Sequence, residues 1–165
     1  MRFRMAVAGW MLAVIGLSST ALAQAGTLPL PGPAAKSYVL YLAEDHNVRA
    51  GRRTVLELRF RVMGGYHVNS HTPNSALLIP TNLVLRPAVG VQTEALEYPK
   101  GKDYSFSFEP SNKLSVYTGD FVVKLPVMAQ AGARSISGTL HYQACDHAAC
   151  YPPRDLPVQV IFTAR

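Results

Sequence analysis

The chain holds two cysteines and no others, five positions apart in Tyr142-Gln143-Ala144-Cys145-Asp146-His147-Ala148-Ala149-Cys150-Tyr151-Pro152-Pro153. Thiols so spaced support three chemistries: a structural disulfide, a pair of metal ligands, or a couple that opens and closes to exchange electrons. As a staple the pair does little, since closing so short a loop contributes roughly 2 kcal/mol in the chain-entropy model against about 4.7 for a loop of 100 residues. Exchange requires one sulfur to be partly exposed and its thiolate to be favoured by a cation or hydrogen bond, and His141 and His147 are the nearby candidates. Metal binding draws on His141, Cys145, His147 and Cys150, two imidazoles and two thiols that suit tetrahedral zinc or soft copper. Their spacing departs from a zinc knuckle, and His141 belongs to a strand whereas His147 belongs to a turn. His67 and His71 form a second pair, but no helix brings them onto one face, so they are expected at the surface or rim. A Cys-His-acid triad can be written from either cysteine with Asp146, yet nothing sets a nucleophile beside a base. On the residues alone, staple, metal site and redox couple stay open.

The elements that must position these thiols are strands. Thr54 to Met63 alternates Leu56, Leu58, Phe60 and Val62 with Glu57, Arg59 and Arg61, the pattern of a half-buried strand in an antiparallel sheet. Asp120 to Ala129 repeats it with Phe121, Val123, Leu125 and Val127. Ser135 to Ala144 sets Ile136, Leu140 and Tyr142 inward and Ser137, Thr139, His141 and Gln143 outward, and Leu156 to Thr163 closes with Val158, Val160 and Phe162. Shorter strands are predicted at Ser37 to Ala43, Tyr66 to Ser70, Thr81 to Arg86, Val91 to Tyr98, Tyr104 to Phe108 and Leu114 to Thr118, with turns at Gly64-Gly65, Pro73-Asn74, Pro99 to Asp103 and Pro110 to Lys113. No mature segment keeps a helical period, so the expected fold is all-β, an immunoglobulin-like antiparallel sandwich. The disulfide between sheets familiar in that fold is excluded by the cysteine spacing. Cys145 ends one strand, and Pro152-Pro153 follows Cys150, so the expected local structure is a reversal over Asp146 to Ala149 with one cysteine on each arm.

Residues 1–23 read as an export signal: Arg2 and Arg4, an apolar run from Met5 to Leu17, and Ala21-Leu22-Ala23 as a cleavage site. The apolar run is shorter than the roughly 20 residues a membrane span needs, so no stable membrane insertion is expected. A Pro-rich lead-in, 24–35, precedes one domain over 36–165. The formal charge of +6 is dispersed apart from Arg49, Arg52 and Arg53 in a solvated turn. Export and the lack of an aromatic-plus-basic ladder exclude nucleic acid as a partner.

Tyr142-Gln143-Ala144-Cys145 followed by Cys150-Tyr151-Pro152-Pro153 closely resembles the active-site segment of the periplasmic N-terminal domain of the thiol:disulfide interchange protein DsbD. The likeness runs from about Lys36 to Phe162, with Gly65-Tyr66 and Leu125-Pro126-Val127 in comparable places. It departs in the insert, four residues here against five in the family, and in an ungapped match that puts Pro110 at the place of the family's cap-loop aromatic. The resemblance implies an immunoglobulin-like periplasmic domain that relays reducing equivalents by dithiol-disulfide exchange, with no metal or cofactor. By position, Cys150 forms the mixed disulfide with a partner and Cys145 resolves it. Tyr66, Tyr142 and Tyr151 line or flank the site, and Phe106 or Phe108 serves as the shielding aromatic. Partners are thioredoxin-like or membrane electron-transfer proteins, and a standalone domain is expected to draw its electrons from a separate protein.

Overall fold

Alternation along the chain builds the sandwich. In Thr54–Val62 (β3) residues 56, 58, 60 and 62 are buried and 55, 57, 59 and 61 exposed, because successive side chains on a strand point to opposite faces. Asp120–Ala129 (β9) runs antiparallel beside it, from Thr54 opposite Val127 to Arg61 opposite Asp120. Val39–Leu42 (β1) and Val91–Thr93 (β6) complete a sheet of order β1-β3-β9-β6. The second sheet joins His46–Val48 (β2), Arg154–Ala164 (β12), Gly132–Tyr142 (β10) and Asn82–Leu85 (β5) in the order β2-β12-β10-β5. Leu58, Phe60, Val123 and Leu125 of the first sheet and Ile136, Leu140, Val160 and Phe162 of the second belong to one buried cluster. Each such side chain, fully buried, contributes about 1.5–3 kcal/mol. The computed structural model describes residues 36–106 and 109–165; the expected export signal at 1–23, the lead-in at 24–35 and Phe108 lie outside the described residues.

A third sheet, of order β11-β4-β8-β7, is made from Ala144–Cys145 (β11), His67–Asn69 (β4), Glu109–Tyr117 (β8) and Lys102–Phe106 (β7). The turn from β3 into it passes through Gly65 at φ 84°, a left-handed conformation that a side chain resists, and closes with Tyr66 N donating to Met63 O at 3.1 Å. Among the described residues there is no helix, hence none long and apolar enough to cross a membrane.

The immunoglobulin-like sandwich expected from the sequence is present, with four differences in detail. Strand β2 was not foreseen, and it pairs in parallel with β12, Phe162 opposite His46. Three residues carry too short an alternation to announce a strand, and their partner lies at the far end of the chain. The strand expected over Val91 to Tyr98 stops at Thr93, with only an isolated bridge from Glu97 to Lys124 beyond it. The turn expected at Pro110 to Lys113 is instead part of β8. Strand β4 pairs with β8 only at Val116 and Tyr117, so Pro110 sits where a missing N–H interrupts no bond to β4. Strand β12 starts earlier than expected and includes Pro157, beyond the reach of β2.

Candidate functional site

Strand β10 leaves the second sheet at Tyr142, and two residues later the chain belongs to the third as β11. Gln143 makes the crossing. Its Nε2 donates to Tyr151 O at 3.2 Å, and its Oε1 accepts from Asn69 Nδ2 at 3.4 Å. The chain then reverses: Tyr151 N donates to Ala144 O at 2.8 Å, and Asp146 N donates to Ala149 O at 2.9 Å. Cys145 and Cys150 face each other between those two bonds, in the closer of the two kinds of antiparallel pair. The hairpin expected from the sequence is therefore present. Its cysteine Cα atoms lie 3.9 Å apart, nearer than the roughly 4.5 Å usual for such a pair, and the sulfurs are bonded at 2.00 Å. The two ends of the bridge differ in access, since Cys145 is 0% exposed whereas Cys150 is exposed.

Asp146 holds the reversal together. Its Oδ1 accepts from Ala148 N and Ala149 N, both at 2.8 Å, an Asx-type turn that the sequence signals by an Asp at the first position after the strand. Its Oδ2 accepts from the Tyr151 hydroxyl at 2.5 Å. That hydroxyl, with the two amides, stabilises the carboxylate and pulls its pKa down to about 2. The same bond pushes the Tyr151 phenol up to about 12. Asp146 therefore stays ionised and Tyr151 protonated across the physiological range.

Beside the hairpin stands a group of tyrosines. Tyr151 stacks on Tyr38 with ring centroids 5.0 Å apart, and Tyr66 meets Tyr38 at 4.8 Å and Tyr151 at 6.0 Å. Lys36 Nζ donates to the Tyr66 hydroxyl at 2.6 Å and lies 4.8 Å from the centre of that ring, and this hydrogen bond raises the lysine pKa. Of the tyrosines predicted near the site, Tyr66 and Tyr151 thus come together beside the cysteines. Tyr142 sits in the core, 1% exposed, where its hydroxyl accepts from Tyr38 N at 3.3 Å and so anchors the backbone that carries the stacked ring.

The histidines fall differently from expectation. His141 is engaged by Asp155, its partner across β10 and β12, with Nδ1 2.7 Å from Oδ1. His147 lies exposed in the turn, a minor contributor to the field that keeps Asp146 ionised. Neither stands opposite a cysteine. His67, expected at the surface, is 2% exposed and is the register partner of Cys145 across β4 and β11. The correction has a physical reason: β4 is buried on both faces, so its three residues show no alternation, and only the pairing of strands far apart in sequence covers the ring. His71 is half-buried, stacked on Tyr98 at 3.7 Å.

Over His67 lie Tyr104 at 4.0 Å and Phe106 at 5.9 Å, both from β7. The register of β7 against β8 slips between those two residues, a bulge of the kind that re-aims a side chain beside a site. Phe106 is thus brought to the third sheet next to the residue facing Cys145. Tyr38, His67, Tyr104, Gln143 and Asp146 were not singled out from the sequence as site residues, and of these only Asp146 carried a local signal. Among the described residues no group of three or more His, Cys, Asp or Glu side chains is placed to hold a metal ion.

The family described as "Thiol:disulfide interchange protein DsbD, N-terminal" matches residues 40–160. No curated protein matches the sequence. Similar solved structures include the DsbD N-terminal domain of Neisseria meningitidis in the reduced form, at 21% identity and a TM-score of 0.42, over 66% of this chain and 81% of that one. The complex between the DsbD N-terminal and PilB N-terminal domains of the same organism matches at 22% identity and 0.43, over 64% of this chain and 73% of that one. The N-terminal periplasmic domain of ScsB from Proteus mirabilis matches at 9% identity and 0.49, over 74% of this chain but only 44% of its own length. With the match spanning nearly all of its strands and both of its cysteines, the chain belongs to the family of the N-terminal domain of the thiol:disulfide interchange protein DsbD.

Proposed function

We propose that this chain is a periplasmic relay that passes reducing equivalents to thioredoxin-like proteins by reversible opening of the Cys145–Cys150 bond. The observation that carries the assignment of roles is the unequal access of the two sulfurs, with Cys150 exposed and Cys145 covered. In the reduced chain the Cys150 thiolate attacks a sulfur of the partner's disulfide, forming a mixed disulfide as the partner's other sulfur leaves with the electron pair. Cys145 then attacks Cys150, the internal bond closes, and the partner departs as a dithiol. Reduction of this chain runs the same steps backwards with an electron donor in the partner's place. Residues 1–23 direct export and are removed. That the DsbD N-terminal domain of Neisseria meningitidis forms a complex with the PilB N-terminal domain is in keeping with a protein partner for this chain.

The test is trapping with a purified oxidised thioredoxin-like protein. Reduced Cys145→Ser protein should accumulate a mixed disulfide through Cys150, visible by mass spectrometry, whereas Cys150→Ser should not. Accumulation with Cys150→Ser and none with Cys145→Ser reverses the roles, and accumulation with neither removes the relay.

A further inference from the structure

Closing the internal bond poses a problem that the described chemistry leaves unsolved. Cys145 must lose a proton before it attacks, yet it is 0% exposed, and burial raises the pKa of a thiol. Opposed residues on neighbouring antiparallel strands lie on one face with Cβ atoms about 4.5–5.5 Å apart. Cys145 has two such neighbours: Cys150 on one side and His67 on the other. The three side chains form a row across the hairpin and β4.

His67 is 2% exposed, and its Nε2 is buried without a hydrogen-bond partner among the described residues. Most buried polar atoms in proteins are satisfied, so an unpartnered nitrogen on the ring whose residue is paired with Cys145 across the sheet calls for an explanation. We propose that His67 is the proton acceptor for Cys145, taking the thiol proton as the resolving attack begins and returning one when the internal disulfide is reduced. Desolvation lowers the His67 pKa, with Asp146 opposing weakly, so the ring is neutral and able to accept at neutral pH. The titratable groups around it are Cys145 on β11, Asp146 in the turn and Tyr104 on β7. Tyr117 on β8 is occupied with Pro99 O and His71 N.

The step balances. The Cys145 S–H proton passes to the imidazole, and the freed electron pair forms the bond to Cys150 sulfur. The bond from Cys150 to the partner breaks, its pair leaves on the partner's sulfur, and the imidazolium gives its proton to solvent. General base participation of this kind contributes about 10²–10⁴-fold to a rate.

The proposal rests on Cys150 attacking first, as above, but its test needs no protein partner. With the aromatic disulfide 5,5′-dithiobis(2-nitrobenzoate) as probe, the reduced chain releases two thionitrobenzoate anions in succession, the first on attack by Cys150 and the second on attack by Cys145. His67→Phe, which keeps a ring against Tyr104 and Phe106, and His67→Gln should leave the first phase within about twofold and slow the second at least tenfold. The wild-type second phase should be flat from about pH 7 to 8.5, and those of both variants should rise with pH as hydroxide replaces the missing base. An unchanged second phase in both variants overturns the proposal, and so does equal slowing of both phases, which marks a structural role. Exchange with thioredoxin-like proteins fails or succeeds separately, so loss of the relay and loss of the His67 role are told apart.

Discussion

Reduction should leave the domain folded at only a modest cost in stability, and the size of that cost follows from the hairpin. The bond joins positions five apart, so it closes a loop of roughly six residues, worth about 2 kcal/mol of denatured-chain entropy. The described residues run from 36 to 165 apart from 107 and 108. At about 2.1 cal/mol/K per residue the domain unfolds with an entropy near 0.27 kcal/mol/K, so loss of the bond lowers the melting temperature by about 7 °C. The reversal is meanwhile held without the sulfurs, through the three hydrogen bonds to Asp146, the Gln143 bond to Tyr151 O and the two backbone bonds that flank the pair. Thermal melts of the oxidised and fully reduced protein, followed by circular dichroism, measure the difference directly. A fall beyond about 15 °C, or unfolding on reduction, contradicts the reasoning and makes the bond a staple of the fold.

Replacing Asp146 by Asn should return the Tyr151 phenol from about 12 toward its ordinary 10, read by NMR titration of the assigned ring; no movement means that the short bond does not form in solution. Because the folded carboxyl titrates near 2, below its unfolded value, its contribution is complete above about pH 4 and is lost as pH falls toward 2, so acid melts of Asp146→Asn should lose less stability in that window than those of the wild type, the remainder coming from Glu94 and Asp120, whose pKa values Arg53 and Arg61 lower. The Tyr151 phenol works in the other direction, its contribution being present below pH 10 and lost as pH rises through 12. A Cβ added at Gly101 meets Ser115 Oγ at 2.2 Å and Ser70 Cβ at 2.7 Å, so Gly101→Ala should cost about 1–3 kcal/mol in urea unfolding, and adding Ser115→Ala should recover part of it. Tyr142→Phe removes the acceptor of Tyr38 N and should cost about 1–3 kcal/mol by the same assay. Stability equal to wild type in that variant places the Tyr38 amide elsewhere.

Much of this protein was legible from local pattern. Alternation along β3, β9, β10 and β12 decides which side chains face inward, because a strand has a side-chain period of two whatever its partner, and all four bury the faces so predicted. The two-part cysteine motif, with its flanking Tyr-Gln-Ala and Tyr-Pro-Pro, announced the hairpin and the family. These properties depend on neighbours in sequence, and so the sequence alone determined them. The parallel pairing of β2, the third sheet, the burial of His67 opposite Cys145, and the unequal access of the two sulfurs were decided only in three dimensions. Each depends on strands separated by tens of residues meeting in one register, and a three-residue strand covered on both faces carries no local trace of what will lie across from it.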